Sequence, residues 1–469
     1  MQNIKNLTKS LGVFQIVMIN IIAVDSIRTL PFAASFGFSL VFYYLLIGVC
    51  FFIPSALVVA ELGTGWPRTG GIYVWVREAF GKKWSLVCIW LNWIYNIVWY
   101  PTIVALISGT AAYLFNPDFE ENKIYMAVSV IVIFWIATLV NLFGMKISSL
   151  VSTIGACIGT LLPMLVIALL GFYWYVKGNP LAIKIDASSF LPKMSFDSNL
   201  ALLTNIIFGL MGLEMVATHG SEIRNPARDY PKAVFISALI ILFTIIISSL
   251  AIALVVPESS LNLATGVMQA FLLFLDAINA SWALNIVALF IIIGGICGIS
   301  AWIIGPSKGI MVASKDGILP KFLSKKNKHD VPINVLLVQA VIVTILSLSF
   351  ILFPTVNSSY WLLSAITAQL SILVYIILFA TAIRLHHKRR DVKRSFSVPG
   401  KKIGMWVVSG LGSFTCMIIF ALGFVPPSII PSDVITNYPL TLLLGIILVV
   451  CIPFLLLRFF KEKKTGNLF

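Results

Sequence analysis

The chain alternates between apolar and polar residues in long blocks, not in the short periods of a soluble fold. Apolar runs of about twenty residues recur along it, the length needed to cross a hydrocarbon core roughly 30 Å thick. The pattern predicts spans at 11–34, 38–62, 84–115, 124–143, 147–176 and 200–219, then at 233–256, 282–312, 332–353, 358–383, 403–425 and 438–458. The longer polar segments on the expected cytoplasmic side, 63–83, 220–232, 313–331 and 384–402, are each too short to enclose a core of their own. The sequence therefore reads as an all-α membrane protein of twelve helices, with residues 1–469 forming a single transmembrane domain.

Two of these spans are interrupted. The first runs through INIIAVDSIRTLPFAASFG (19–37), which places Asp25, Arg28 and Pro31 inside an apolar run. The sixth contains FGLMGLEMVATHG (208–220), with Gly209 and Gly212 close to Glu214. Proline lacks the donor that a helix interior needs, and glycine weakens it. Broken helices five spans apart are what a 5+5 inverted repeat would produce, with 11–176 and 200–383 as the repeats and 403–458 as two added spans. In such an arrangement the unwound stretches meet near the bilayer midplane and line a substrate site. The expected lining is Ala23, Val24, Asp25, Ser26, Ile27 and Arg28 from the first span. From the sixth it is Phe208, Gly209, Leu210, Met211 and Gly212.

Ionisable groups at that depth cost several kcal/mol unless paired or hydrated, so function is the default reading. Asp25 and Arg28 are three residues apart and could share a helix face. They could form a self-neutralising pair, or Arg28 and the freed amides could face an anionic group of a substrate. Glu214 has no basic neighbour in its span. An isolated carboxyl in an apolar setting favours its neutral form, which suits a coupling or gating role or a partner for a substrate ammonium. Trp90, Trp93, Tyr95, Trp99 and Tyr100 cluster in the third span. With Trp282, Trp302 and Trp361, they are expected mainly at the membrane interfaces.

Composition sharpens this picture. The chain is 59% hydrophobic and 11% charged, against about 25% charged in soluble domains. Its net charge of +15 could suggest a polyanion partner, but the distribution argues for topology. With the N-terminus in the cytoplasm, 28 of the 33 Lys and Arg lie on the cytoplasmic side; Lys123, Lys177, Lys184 and Lys193 lie outside, and Arg28 lies within a span. This is the positive-inside distribution, so no nucleic-acid partner is expected. The densest run, RLHHKRRDVKRSFSVPGKK (384–402), reads as an anchor, with a lipid-binding patch as the alternative. The six cysteines all fall in apolar spans without paired spacing, as small buried hydrophobes would. No phosphate loop, HExxH or GxSxG motif occurs, so neither an enzyme nor a metal site or cofactor is expected, and transport would run on ion gradients or exchange.

Several stretches together resemble the amino acid–polyamine–organocation transporter superfamily. They are Glu61-Leu62 followed by PRTGGIYVWVREAFG (67–81), GLE (212–214), EIRNPARDYPKA (222–233) and SKGIMVASKDGILPKFLSK (307–325). Within it, GFSLVF (37–42), ATHGSEIRNPARDYP (217–231), GVMQ (266–269) and AWIIGPSKG (301–309) are most similar to bacterial glutamate:γ-aminobutyrate antiporters. The resemblance implies twelve helices and sodium-independent exchange of amino acids by alternating access. It places the protein in a bacterial inner membrane, multi-pass, with both termini cytoplasmic. The partners it implies are a small amino acid substrate and the lipid bilayer; the oligomeric state is left open. Two departures stand out: AVDSIR replaces the superfamily's usual Gly-rich break, and Gly298 stands where these antiporters would carry an acid. A proton-coupled importer or polyamine carrier is the alternative transport reading. A channel or a non-transporting sensor is the alternative of another class, and neither a polar-lined pore nor a signalling domain is evident.

Overall fold

A computed structural model describes residues 11–67, 70–143, 149–192, 198–329, 331–427 and 438–465. Twelve helical segments in it are long and apolar enough to cross a membrane. They run Val13–Ala34, Gly37–Gly65, Lys82–Ala112, Lys123–Leu142, Thr153–Val176 and Asn199–Ala217, then Pro226–Val255, Ser281–Lys315, Ile333–Leu352, Val356–Lys388, Lys401–Leu422 and Tyr438–Arg458. Each coincides with an expected span to within several residues. Of the charges placed on the outer side by sequence, Lys193 lies outside the described residues.

Burial orders the spans from centre to rim. The third and sixth are 89% buried and the twelfth only 17%. The third packs on the tenth and eighth spans, while the seventh packs on the first, second and fifth. Rim helices expose Leu, Ile, Val and Phe, among them Ile136, Ile345, Phe414 and Leu448. Those side chains face lipid, where apolar exposure carries no hydration penalty. The central position of the third span overturns the interfacial reading of its aromatics. Trp93, Tyr95, Trp99 and Tyr100 are buried within the bundle, as are Trp302 and Trp361, whereas Trp282 is 72% exposed as an interfacial residue would be.

Local sequence explains the irregularities. The π-helical turns Gly48–Phe52 and Cys157–Leu161 are each followed closely by a proline, Pro54 and Pro163. A widened turn relieves the clash of the proline ring with the carbonyl four residues back. The backbones of the fifth and eighth spans touch at Gly159 and Gly294, where a Cβ on Gly159 would lie 2.1 Å from the Gly294 Cα.

Two shorter helices lie in the connections. Ile72–Phe80 is strongly amphipathic and follows the second span; Gly266–Ala277 lies between the seventh and eighth. The first sits on the face that carries the N-terminus. There Leu11 pairs with Ile223, ahead of the seventh span, in a parallel bridge.

Candidate functional site

The first span stops being α-helical at Val24, passes through extended Asp25 and Ser26, and resumes as a 3-10 turn at Ile27–Thr29. The Asp25 amide still bonds the Ile21 carbonyl at 2.8 Å and Thr29 bonds back to Ser26 at 3.1 Å. Between them, the amides of Ser26, Ile27 and Arg28 find no backbone acceptor among the described residues. The sixth span breaks after Phe208 and resumes as a 3-10 helix from Leu213. Gly212 makes the turn possible, because its φ of 122° is closed to most side chains. Its amide donates to the Tyr375 hydroxyl at 2.7 Å. The carbonyls of Gly209, Leu210 and Met211 accept no backbone bond from the described residues.

The two breaks touch. A Cβ on Gly212 would meet Val24 at 3.1 Å and the Ala23 carbonyl at 3.2 Å, and one on Gly209 would meet Thr29 at 3.0 Å. Trp302 of the eighth span closes the third side, donating its indole N–H to the Ala23 carbonyl at 3.3 Å. One turn before Trp302, a Cβ on Gly298 would meet no atom of the described residues within 4 Å. Val24, Ile27, Leu210 and Met211 are buried in this contact, whereas Ala23, Ser26 and Phe208 remain partly accessible.

Asp25 and Arg28 do not pair. The Thr244 hydroxyl of the seventh span donates to Asp25 Oδ2 at 2.8 Å. Arg28 turns the other way, donating through one terminal nitrogen to Ser364 of the tenth span at 3.2 Å. Its guanidinium lies 5.2 Å from the Phe208 ring centre and 5.9 Å from that of Phe32, within cation–π range. The Tyr360 hydroxyl faces it as well. The Arg28 side chain is 1% exposed, yet its Nε and second terminal nitrogen meet no acceptor in good hydrogen-bond geometry among the described residues. A buried cation with unused donors, clear of its only near acidic neighbour in sequence, can receive an anion.

Glu214 is equally buried. Its Oε2 accepts from the Tyr375 hydroxyl, while Oε1 has no partner. Tyr375 thus joins the Gly212 amide and the Glu214 carboxyl, holding the sixth-span break against the tenth span. Sequence reading does not single out Tyr375, Tyr360 or Ser364; a polar stripe at intervals of three to four along the tenth span, Tyr360, Ser364, Thr367, Ser371 and Tyr375, is the signal that could have found them.

Both faces of the molecule bear on this site. On the N-terminal face a third buried carboxylate, Glu61, is 1% exposed. It pairs with His386 at 2.7 Å, accepts the Val398 amide at 2.8 Å and lies 3.5 Å from Arg394. Burial pulls the Arg394 guanidinium below its ordinary range, and the carboxylates of Glu61 and Asp391 oppose that. Arg77–Asp316 at 2.7 Å and Arg389–Glu78 at 2.8 Å tie the same loops together, and Arg384 covers the Phe80 ring at 4.8 Å. Residues of the basic run are thus engaged with protein. On the opposite face, a cavity of about 990 Å³ is lined by Glu121, Glu258, Asn262, Gln269, Thr355 and Asn357, among others. Its lining residues Thr355, Val356 and Asn357 precede Tyr360 and Ser364 by one to two turns at the start of the tenth span, and the rings of Phe32 and Tyr360 stack at 5.9 Å.

A family model described as amino acid permease matches residues 11–452. The chain belongs to the amino acid permease family. The permease is 48% identical over 459 residues to an uncharacterised transporter of Legionella pneumophila, covering 98% of this chain and 99% of that one. It is 29% identical over 461 residues to a glutamate/γ-aminobutyrate antiporter of Lactococcus lactis, covering 97% and 92% of the two chains. A probable agmatine/putrescine antiporter of the same species is 23% identical over 426 residues, covering 91% and 90%. The permease is accordingly a multi-pass membrane transporter and not an enzyme.

Proposed function

We propose that the protein is a secondary antiporter that exchanges an amino acid such as glutamate for a related amine or amino acid such as γ-aminobutyrate. The observation that carries this is Arg28, a fully buried guanidinium beside the first break, two of whose nitrogens meet no acceptor in good hydrogen-bond geometry among the described residues. A carboxylate satisfies such a fork in two places at once. A diamine would instead set a second cation against it, so the reading follows the glutamate/γ-aminobutyrate relative over the agmatine/putrescine one.

In this reading the unpaired amides of Ser26, Ile27 and Arg28 hold the α-carboxylate, as unwound helix ends do in transporters. The free carbonyls of Gly209, Leu210 and Met211 hold the amino group, and Arg28 selects a side-chain carboxylate. Asp25 contributes backbone only. The space beside Gly298 accommodates the ligand. Glu214, through Tyr375, couples occupancy of the sixth-span break to the tenth span. Alternating access would rock spans one, two, six and seven against the rest, relating residues 11–176 and 200–383 as inverted repeats. The cavity on the face opposite the N-terminus, with the N-terminal face tied shut, fits an outward-facing state in a bacterial inner membrane with cytoplasmic termini.

The experiment is counterflow in proteoliposomes. Labelled glutamate is expected to enter only when unlabelled glutamate or γ-aminobutyrate is inside. Uptake independent of internal amino acid would replace exchange with import, and preference for agmatine would replace the substrate. A C-terminal reporter active only in the cytoplasm checks orientation.

A further inference from the structure

Asp25 faces away from the substrate groups just described, and its surroundings set it a different task. Its carboxyl is 2% exposed and points between the second and seventh spans. Among the described residues Oδ1 has no hydrogen-bond partner and no ion pair reaches the group. The Tyr44 hydroxyl of the second span interacts with it and lies close to Ser249 of the seventh, and neither hydroxyl has a partner in good hydrogen-bond geometry among the described residues. Among the described titratable side chains of those spans, Tyr44 is the one that interacts with it. Arg28, on its own segment, is turned to the sixth and tenth spans. Cys157 of the fifth span sits lower, against Met18.

Three features disfavour an anion there. The depth leaves an unpaired charge without solvation. Asp25 also caps the C-terminal end of helix Val13–Val24, where the helix dipole is negative and repels a carboxylate. The third is a count of hydrogens. The Thr244 hydroxyl has one hydrogen but three oxygens in reach: Asp25 Oδ2 at 2.8 Å, the Ile240 carbonyl at 2.9 Å and the Ile241 carbonyl at 3.1 Å. With a proton on Asp25, the carboxyl donates to Thr244 and the threonine hydrogen turns to the Ile240 carbonyl, the usual back-bond of a helical threonine. One proton thus gives both Asp25 Oδ2 and the Thr244 hydroxyl a partner.

We propose that Asp25 is a proton-binding site enclosed by spans one, two and seven, loaded in the conformation closed on the N-terminal face and separate from the substrate site. Its link to exchange rests on the function proposed above; the proton binding itself does not. The O–H bond forms on an Asp25 carboxyl oxygen with a proton taken from water when the neighbouring helices part, and it breaks to water when they part on the other side.

The test uses the full chain in liposomes near neutral pH. Infrared spectra of the wild type are expected to contain a neutral-carboxyl C=O band that is lost in Asp25→Asn, kept in Glu214→Gln and shifted in Thr244→Val, where the acceptor is gone. An unchanged carboxyl region in both Asp25→Asn and Thr244→Val overturns the site, and Thr244→Val carries this test if Asp25→Asn does not fold. Exchange of labelled glutamate against internal γ-aminobutyrate is then followed with pH. The wild-type pH dependence is expected to be lost in Asp25→Asn whatever its maximal rate; an unaltered profile overturns the coupling. A wild type that requires sodium, and a variant that does not, assigns the site to a metal ion instead. Liposomes showing no exchange at all defeat the transport reading while the infrared result still decides the proton site.

Discussion

Arg28 and Tyr375 do opposite jobs with single polar groups, and substitutions at each should fail differently. The guanidinium of Arg28 has spare donors, so its removal should affect ligands more than folding. Lysine keeps the charge without the planar fork. Arg28→Lys is therefore expected to lower the apparent kcat/KM for glutamate at least about tenfold, about 1.4 kcal/mol, while sparing a neutral amino acid more. Initial uptake rates against concentration check this, and equal losses for both substrates would remove Arg28 as a selector of acidic side chains. Tyr375 instead has both hydrogen-bonding roles filled, by the Gly212 amide and Glu214. Tyr375→Phe leaves both groups buried and unsatisfied, a cost of about 1–3 kcal/mol. The expected outcome is a lower melting temperature of the solubilised protein together with slower exchange; an unchanged melting curve would show that the break does not depend on this tether.

At the scale of the element, Gly212 makes the sixth-span turn and Pro31 starts the helix that resumes at Leu30 after the first break, and that is why both were legible. Pro31 and the Gly209–Gly212 pair mark both interruptions in sequence, and the spans themselves follow from apolar length alone. What lay beyond sequence was direction. The three-residue spacing of Asp25 and Arg28 suggested one helix face, but the chain is extended at Asp25 and Ser26, which sends the two side chains to opposite neighbours. The burial of Glu61, near the end of the span expected at 38–62, comes from tertiary contact with His386, Arg394 and Val398, which periodicity does not reveal. The aromatics of the third span looked interfacial because periodicity does not say which helix is central. Gly212→Ala tests the element directly. Its φ of 122° and neighbours at 3.1–3.3 Å make any side chain cost about 1–3 kcal/mol in backbone strain alone. Exchange is expected to be lost with normal membrane insertion, and wild-type rates would show that the turn is not needed. Gly159→Val, by contrast, should act on stability, since its side chain would overlap the Gly294 backbone.

For the whole molecule the decisive asymmetry is between its two faces: one tied by Glu61, Arg77 and Arg389 to their partners, the other opening into a cavity. Exchange requires that the tie be broken in every cycle, so it must be strong enough to close the face yet reversible. Glu61 is its centre, since it reaches His386 at the end of the tenth span and the Val398 amide in the loop beyond. Removing its charge leaves Arg394, 9% exposed, without its nearest counter-charge. Breaking one side of a buried ion pair costs about 3–5 kcal/mol, and nearly all of that falls on the closed conformation, because the open one hydrates both groups. Glu61→Gln should therefore shift the population toward the state open on the N-terminal face by at least about tenfold, equivalent to 1.4 kcal/mol. A cysteine placed at Val398, in a background where the six native cysteines are replaced, reports this by its rate of reaction with a water-soluble thiol reagent. The rate is expected to rise in Glu61→Gln and to fall back when the glutamate is restored. Equal labelling rates with and without Glu61 would mean that the face is held by Arg77–Asp316 and Arg389–Glu78, and the same reporter would then identify which by substituting Asp316 and Glu78 in turn.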